Sequence, residues 1–196
     1  MSTSLAPPGI VHEGTLVPVH NGGDSTIWLP FEKVKLYTNA FIIQDGKILL
    51  GYKKRGFGQG LYNGFGGKVE PNETPAQAAA RELQEEAGIE APLRHCGTLF
   101  FVLKNFRDHA FYVDIFVAKE YSGTIIETDE MRPQWFSTAS EGLEKLDDML
   151  PIPYDKMWAD DVFWMPLLLA DRPFIGRADL DKDNTMEKWW FAEKTS

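Results

Sequence analysis

Runs of apolar residues divide the chain, from about residue 33 onward, into strands and helices. Val34–Ile43 and Lys47–Tyr52 are rich in β-branched and aromatic residues and are separated by Gln44-Asp45-Gly46. Asp-Gly between two such runs is a β-hairpin signal. The pattern therefore predicts that the regular part of the chain opens with a two-stranded hairpin.

Further apolar periodicity predicts more strands and two helices. Strands are expected at Leu99–Lys104, Ala110–Ala118, Gln134–Phe136 and Thr185–Phe191. Helices are expected at Pro75–Ala87 and Asp160–Leu169, with a short helix or loop at Leu143–Met149. Strands combined with two helices of unequal roles are typical of an α/β or α+β sandwich.

The first 32 residues lack this regularity. They contain four prolines and the turn-like run Asn21-Gly22-Gly23-Asp24. This composition predicts an irregular N-terminal extension at 1–32, followed by one domain at 33–196. Val11–Val19 is a candidate for an additional edge strand.

The segment from Gly67 to Ile89 predicts a helix with both ends defined. Thr74 precedes Pro75, and Gln77 follows Thr74 by three residues, which is a capping box with proline at the first helical position. Gly88 favours an end to the helix directly after Ala87.

Three glutamates, Glu82, Glu85 and Glu86, share one sector of this helix. Like charges at these spacings repel, and the helix dipole disfavours them near the C-terminus, so a purely structural helix gains nothing from them. Clustered carboxylate oxygens suit a hard cation such as Mg²⁺. The alternative is a solvated acidic face. Arg81 is expected to pair with a carboxylate, and Glu73 is the candidate.

The complete pattern resembles the Nudix box: Gly67, five residues, Glu73, seven residues, then Arg-Glu-Leu-Gln-Glu-Glu-Ala-Gly-Ile at 81–89. The resemblance implies a Nudix α/β/α sandwich with a mixed β-sheet and a catalytic loop–helix–loop within 33–196. It also implies hydrolysis of a nucleoside diphosphate linked to another moiety.

The resemblance further implies a metal site for Mg²⁺, with Mn²⁺ as the alternative ion. The implied ligands are Glu82, Glu85, Glu86 and the backbone carbonyl at Gly66. A glutamate left free of metal would act as the general base, and the sequence does not say which one. Glu130 matches an acidic residue that approaches the metal, either as a ligand or to orient water; an exposed turn residue is the alternative.

Three further blocks, Lys53–Lys68, Asp129–Phe136 and Met157–Leu169, resemble the eukaryotic MutT homologues within the Nudix family. These hydrolyse oxidised purine nucleoside triphosphates, such as 8-oxo-dGTP and 2-hydroxy-dATP, to the monophosphate and pyrophosphate. The resemblance implies a monomer that sanitises the nucleotide pool and so prevents DNA damage. Tyr62 and Ala159 depart from this branch, which has Trp and Pro there.

The resemblance implies a purine site in which Trp158 offers a plane for stacking. Asn63 carries a donor and an acceptor for a purine edge. Phe57 and Phe101 would form walls, with core packing as the alternative for the aromatic residues, and Lys53 would lie at the pocket mouth or the phosphates. The complete implied substrate-binding set is Thr38, Lys53, Phe57, Asn63, Phe101, Trp158, Asp160 and Asp161.

Asp160 and Asp161 are adjacent carboxylates that cannot both ionise easily in a pocket. One pKa is expected to rise through burial and like charge. A protonated acid donates a hydrogen bond whereas an ionised one accepts, so the pair is a candidate for matching both 8-oxoguanine and 2-hydroxyadenine. The alternative for Asp160 is to cap the second helix.

Charge and composition narrow the partners. A formal net charge of −9 argues against nucleic-acid binding, which draws on Lys and Arg. A divalent metal would still allow an acidic protein to bind a triphosphate. Residues 1–32 hold no Lys or Arg, no apolar run approaches the roughly 20 residues of a membrane helix, and Cys96 is the single cysteine. We therefore expect no membrane partner and a cytoplasmic location, with nuclear access open.

Two alternatives stay open at this point. One is a Nudix diphosphatase that acts on other nucleotides, such as undamaged nucleotides, dinucleoside polyphosphates or a pterin triphosphate. The other is a nucleotide-sensing Nudix domain without catalysis, which would be expected to lose glutamates of the box. This chain keeps Glu73, Glu82, Glu85 and Glu86.

Overall fold

A computed structural model of the protein describes residues 6–106, 109–139 and 149–195. These residues form two compact units. The first unit takes its residues from 1–36, 96–114 and 159–196, and the second from 37–95 and 115–158. The predicted boundary between an extension at 1–32 and a domain at 33–196 stays a prediction.

The described residues form eleven strands and two α-helices. They are β1 (Thr15–Gly22), β2 (Val34–Gln44), β3 (Lys47–Lys53), β4 (Tyr62–Asn63), α1 (Pro75–Ala87), β5 (Ile89–Glu90), β6 (Arg94–Leu103), β7 (Ala110–Ala118), β8 (Ser122–Gly123), β9 (Met131–Ser137), α2 (Asp161–Leu169), β10 (Phe174–Leu180) and β11 (Met186–Thr195). A 3-10 helix at Tyr154–Lys156 precedes α2. Most of the segment predicted at Leu143–Met149 lies outside the described residues.

The predicted hairpin is confirmed as the antiparallel pair β2 and β3, with Gln44 opposite Lys47. Asp45 and Gly46 have φ values of 52° and 70°. Positive φ at both loop residues is what a type I′ turn requires, and this explains the Asp-Gly signal. In the second unit β3 also pairs with β4 and with β9, so the hairpin is widened by strands from further along the chain.

Helix α1 begins and ends where the capping residues predict. The Thr74 hydroxyl accepts from the Gln77 N–H, the Gln77 side chain accepts from the Thr74 N–H, and Gly88 ends the helix at φ 73°. The apolar face of α1, with Leu83 and Ala87, packs on fully buried residues of the sheet. These are Ile42, Leu49 and Phe65. Because this face is buried, the adjacent sector with the glutamates is directed towards the loop that precedes α1.

The first unit has a mixed sheet, as predicted. Its strand β10 is parallel to β6 and antiparallel to β11, and β11 pairs with β1. The edge strand predicted at Val11–Val19 is therefore present as β1, a few residues later. Strand β10 was not predicted. Helix α2 packs its Trp164 ring on Phe174 of β10, with centroids 5.3 Å apart.

A fully buried cation holds two N-terminal segments to β10. The Arg177 side chain is 0 % exposed. It donates to Asp179 at 2.8 Å, to the Pro8 carbonyl at 2.6 Å and to the Leu29 carbonyl at 2.7 Å. The Trp28 ring lies 4.8 Å from the guanidinium carbon. The N-terminal residues are thus fastened by an ion pair that the sequence pattern does not reveal.

Within the described residues, no helix combines the length and apolar composition needed to cross a membrane.

Candidate active site

The loop before α1 packs closely against the glutamate sector of the helix. The Gly66 N–H donates to Glu86 Oε2 at 2.9 Å. A Cβ at Gly67 would lie only 2.4 Å from Glu82 Oε1, so the loop closely approaches this carboxylate. The Thr38 N–H donates to the Gly67 carbonyl at 2.8 Å, which ties the loop to β2. The implied ligands Gly66, Glu82 and Glu86 are therefore neighbours.

Lys53, at the end of β3, bridges two of the predicted acidic residues. Its Nζ lies 2.9 Å from Glu86 Oε1 and 2.5 Å from Glu130 Oε1. Burial opposes the lysine charge, but the hydrogen bond from Lys53 to Glu130 and the charge of Glu86 outweigh it, so the pKa of Lys53 is raised. Burial raises the pKa of Glu86, although Lys53 and the Gly66 N–H favour its ionised form.

Glu130 is more than an exposed turn residue. The hydrogen bond from Lys53 lowers the pKa of its carboxyl, and Arg55 lies 3.3 Å from its other oxygen. The Lys54 N–H donates to the Glu130 carbonyl at 2.8 Å, so β3 also positions its backbone. Glu130 is 37 % exposed and can reach both solvent and Lys53.

Arg81 offsets the repulsion within the glutamate row. It binds both oxygens of Glu73, at 2.8 and 3.2 Å, which confirms the predicted pair. It also donates to Glu82 at 2.8 Å and to Glu85 at 3.3 Å. The hydrogen bonds from Arg81 lower the pKa of Glu73, whereas burial raises the pKa of Glu82. One arginine thus holds the loop residue Glu73 and two carboxylates of α1.

The carboxylates of the predicted metal ligands do not converge on one point. In the part of the chain that the structure describes, no three His, Cys, Asp or Glu side chains converge as a metal cluster. The reason is that Glu82 and Glu85 are turned to Arg81, and Glu86 to Lys53. The chemistry of the donor set nevertheless fits a hard cation, because carboxylates and a backbone carbonyl are the oxygen ligands that Mg²⁺ accepts.

Two of the predicted aromatic residues stack on each other in the second unit. The Phe57 and Trp158 rings have centroids 5.1 Å apart and an interplanar angle of 28°. Phe57 is 53 % exposed, so core packing does not explain it. Gly58 lies against the indole, since a Cβ there would be 3.2 Å from Trp158 Cζ2. The pair forms a partly exposed aromatic surface.

Asn63, on β4, is held by a residue that was not predicted. Its Oδ1 accepts from Asn39 Nδ2 at 2.7 Å and from the Gly64 N–H at 2.9 Å. The neighbouring Thr38 is buried, and its hydroxyl has no hydrogen-bond partner among the residues that the structure describes. Thr38 shares the strand face of Ala40, which packs against α1, whereas Asn39 lies on the opposite face because side chains alternate along β2.

Asp160, Asp161 and Phe101 belong to the first unit. Both aspartates are buried, and Phe101 lies on β6 opposite Ala178. Burial raises the pKa of Asp160 to about 6, although the Trp164 Nε1–H donates to it at 2.9 Å. Asp160 occupies the N-cap position of α2 without a capping hydrogen bond from its side chain. The capping alternative for its carboxylate is wrong, because that carboxylate accepts from Trp164 instead.

The NUDIX domain model matches residues 33–156. This chain belongs to the Nudix family. It is 46% identical over 143 residues to the zebrafish (Danio rerio) protein named "Oxidized purine nucleoside triphosphate hydrolase", a span of 72% of this chain and 84% of that relative. The mouse (Mus musculus) protein of the same name is 39% identical over 163 residues, covering 83% of this chain and 97% of the relative.

The solved structure of a MutT protein from Bacillus halodurans has the same fold. The TM-score is 0.64 at 24% identity, over 80% of this chain and 97% of the bacterial chain. The predicted fold class is thus confirmed, and so is the resemblance to the eukaryotic branch of the Nudix family.

Asn39 is the main residue of this Nudix site that the sequence reasoning missed. It is a polar residue that directly precedes the apolar run Ala40–Ile43 in a strand. A buried polar side chain needs a hydrogen-bond partner, so a polar residue next to this apolar run indicates that a partner lies nearby. The identity of that partner, Asn63, depends on the pairing of strands that are distant in sequence.

We expect the stability difference between an Asp160→Asn variant and the wild type to grow with pH. The folded-state pKa of Asp160 is raised from 3.8 to about 6. The stabilising contribution of the protonated carboxyl to the free energy of unfolding is therefore fully present below pH 3.8 and is lost as pH rises through about 6. Asparagine keeps an acceptor for Trp164 and avoids the buried charge. Urea unfolding should show the variant gaining up to about 3 kcal/mol relative to wild type between pH 4 and pH 7.

An exposed aspartate supplies the control for this measurement. Asp155→Asn, in the 3-10 helix, makes the same replacement at an exposed position. A stability gap for Asp160→Asn that is constant between pH 4 and 8 would show that Asp160 does not titrate in this range.

Proposed function

We propose that this protein hydrolyses oxidised purine nucleoside triphosphates, such as 8-oxo-dGTP and 2-hydroxy-dATP, to the monophosphate and pyrophosphate. The observation that carries the proposal is the close packing of Glu82 and Glu86 against the Gly66–Gly67 loop. This arrangement supplies one buried carboxylate, Glu86, and one partly buried carboxylate, Glu82, beside backbone groups, where a metal-bound triphosphate can be held. The names of the zebrafish and mouse relatives support the choice of substrate.

We propose that Mg²⁺, or Mn²⁺ in its place, is held by Glu82, Glu85, Glu86, the Gly66 carbonyl and Glu130. The ion supplies neutralisation of phosphate charge and activation of water. Binding it requires the carboxylates to rotate away from Arg81 and Lys53. Glu73 retains Arg81 near the helix during this exchange, because it binds the guanidinium through two oxygens.

Lys53 and one glutamate complete the proposed chemistry. With an ion held by these carboxylates, Lys53 Nζ would be able to donate to a phosphate oxygen from its position at the end of β3. Burial raises the pKa of both Glu82 and Glu86, which makes each a stronger base than a solvated carboxylate. Whichever carboxylate stays free of the ion accepts the proton of the attacking water.

The purine is proposed to stack on the aromatic surface of Phe57 and Trp158, with Asn63 reading its edge. Thr38, Phe101, Asp160 and Asp161 are proposed as further substrate-binding residues, on the strength of the family resemblance. We also propose that the protein acts as a cytoplasmic monomer with access to the nucleus.

Steady-state kinetics test this function directly. We expect kcat/KM with Mg²⁺ to be at least about tenfold higher for 8-oxo-dGTP or 2-hydroxy-dATP than for dGTP and dATP, since one discriminating hydrogen bond is worth that factor. The products should be monophosphate and pyrophosphate. Asp160→Asn should change the ratio of the two oxidised-purine activities. Equal turnover of all four would favour another Nudix diphosphatase, and binding without turnover would favour a sensor.

A further inference from the structure

The orientation of two side-chain amides follows from one backbone group. The Gly64 N–H can only donate, so the Asn63 atom that it faces at 2.9 Å must be the oxygen Oδ1. The Asn39 atom 2.7 Å from the same oxygen must then be a donor, which is the nitrogen Nδ2. A flipped assignment of either amide would place two donors or two acceptors face to face.

This arrangement changes what Asn63 can offer to a ligand. Its Oδ1 already accepts two hydrogen bonds, from Asn39 and Gly64, which uses both lone pairs. Its Nδ2 makes no hydrogen bond within the described ranges 6–106, 109–139 and 149–195. The sequence suggested that Asn63 both donates and accepts, whereas here it can only donate.

The asparagine at position 39 lowers the stability of the fold. It is 9 % exposed, and no described residue donates a hydrogen bond to its buried Oδ1. A Cβ at Gly64 would lie 2.3 Å from that oxygen and 2.7 Å from the Ala40 carbonyl oxygen, so glycine is needed at this position. A leucine would fill this strand position without desolvating an unpaired acceptor. A buried polar side chain with an unsatisfied oxygen therefore needs a reason for being at this position.

We propose that Asn39 is a positioning residue that determines specificity through Asn63. It holds Asn63 so that only N–H donors face the base, which restricts the substrate to purines with a hydrogen-bond acceptor at that edge. The inference rests on the proposed function, because it assigns the purine edge to Asn63. It adds a residue outside the implied substrate-binding set.

The test is a double-mutant cycle on Asn39→Leu and Asn63→Ala, with 8-oxo-dGTP and Mg²⁺. Asn39→Leu should raise KM about tenfold, keep kcat within about twofold, and leave the melting temperature equal or higher. The double variant should be no worse than Asn63→Ala alone, because Asn39 acts through Asn63. Additive effects, or a lower melting temperature with KM unchanged, would overturn the proposal.

Asn63→Asp separates donation from acceptance. It preserves an oxygen for Asn39 Nδ2 and the Gly64 N–H but replaces the outward donor by an acceptor. We expect KM to rise as much as in Asn63→Ala, and an unchanged KM would contradict the donor-only assignment. Asn21→Leu, on the exposed face of β1, is the control for asparagine-to-leucine replacement and should leave KM unchanged.

Failure of the proposed function is distinguishable from failure of this inference. If an undamaged purine triphosphate is the preferred substrate, the oxidised-purine proposal fails, and the same cycle is run on that substrate. Side-chain ¹⁵N–¹H spectra give a readout without turnover. The Asn39 amide resonances should shift in Asn63→Ala, and their invariance would disprove the hydrogen bond on which the inference depends.

Discussion

Replacing Glu86 with Gln is expected to lower kcat by about 10²- to 10⁴-fold while the protein stays folded. Glutamine keeps an oxygen to accept from the Gly66 N–H, but it removes the negative charge that faces Lys53. The variant therefore loses a ligand or base without losing the loop contact. The measurement is kcat with saturating Mg²⁺ and 8-oxo-dGTP, accompanied by a thermal unfolding curve.

The fold should tolerate this change because it removes a charge that is largely buried: Glu86 is only 5 % exposed. Burial raises the pKa of its carboxyl, so the ionised form is costly in the folded state, and a neutral amide of the same shape avoids that cost. Glu90→Gln, on β5, is the charge-matched control at an exposed position and should retain full activity. Activity of Glu86→Gln within tenfold of wild type would exclude Glu86 as a metal ligand and as the base.

Arg177→Met should lower the free energy of unfolding by about 3–5 kcal/mol, measured by urea denaturation. Methionine fills part of the volume but leaves Asp179 as a buried, unpaired carboxylate. It also removes the donors that bind the Pro8 and Leu29 carbonyls. The loss is large because a desolvated charge keeps its cost when its partner is removed.

Two further variants separate this effect from a simple loss of packing. In the double variant Arg177→Met/Asp179→Leu both charges are gone, so we expect it to be more stable than Arg177→Met alone. Lys104→Met breaks a partly exposed pair with Glu187 and should cost at most about 1 kcal/mol. Equal losses in Arg177→Met and the double variant would show that the buried ion pair is not the origin of the effect.

Helix α1 shows how much can be predicted where the determining contacts are local. The Thr74–Gln77 capping box and Gly88 place both ends of α1 correctly, because each capping hydrogen bond joins residues three or four positions apart. The Asp45-Gly46 turn places the first hairpin for the same reason. The Nudix box also indicates the family and its fold class, because all of its fixed positions lie in the single segment Gly67–Ile89.

Strand β10 shows where such reasoning fails. Phe174–Leu180 was not predicted as a strand. It carries Arg177 and Asp179, yet every residue of it is buried. The two charges are tolerated only because they pair with each other and with backbone groups near residues 8 and 29. No pattern within the strand itself contains that information.

Local sequence is sufficient to predict the helix ends and the hairpin turn, whose hydrogen bonds join residues a few positions apart, and to identify the acidic residues of the box. The packing of distant segments fixes which of those glutamates pair with Lys53 and which with Arg81, and it fixes the orientation of the Asn39 and Asn63 amides. Lys53 meets Glu86 across 33 residues, and Asn39 meets Asn63 across 24. Such contacts arise when strands and helix pack a common core, so their geometry depends on the whole arrangement and on no single segment.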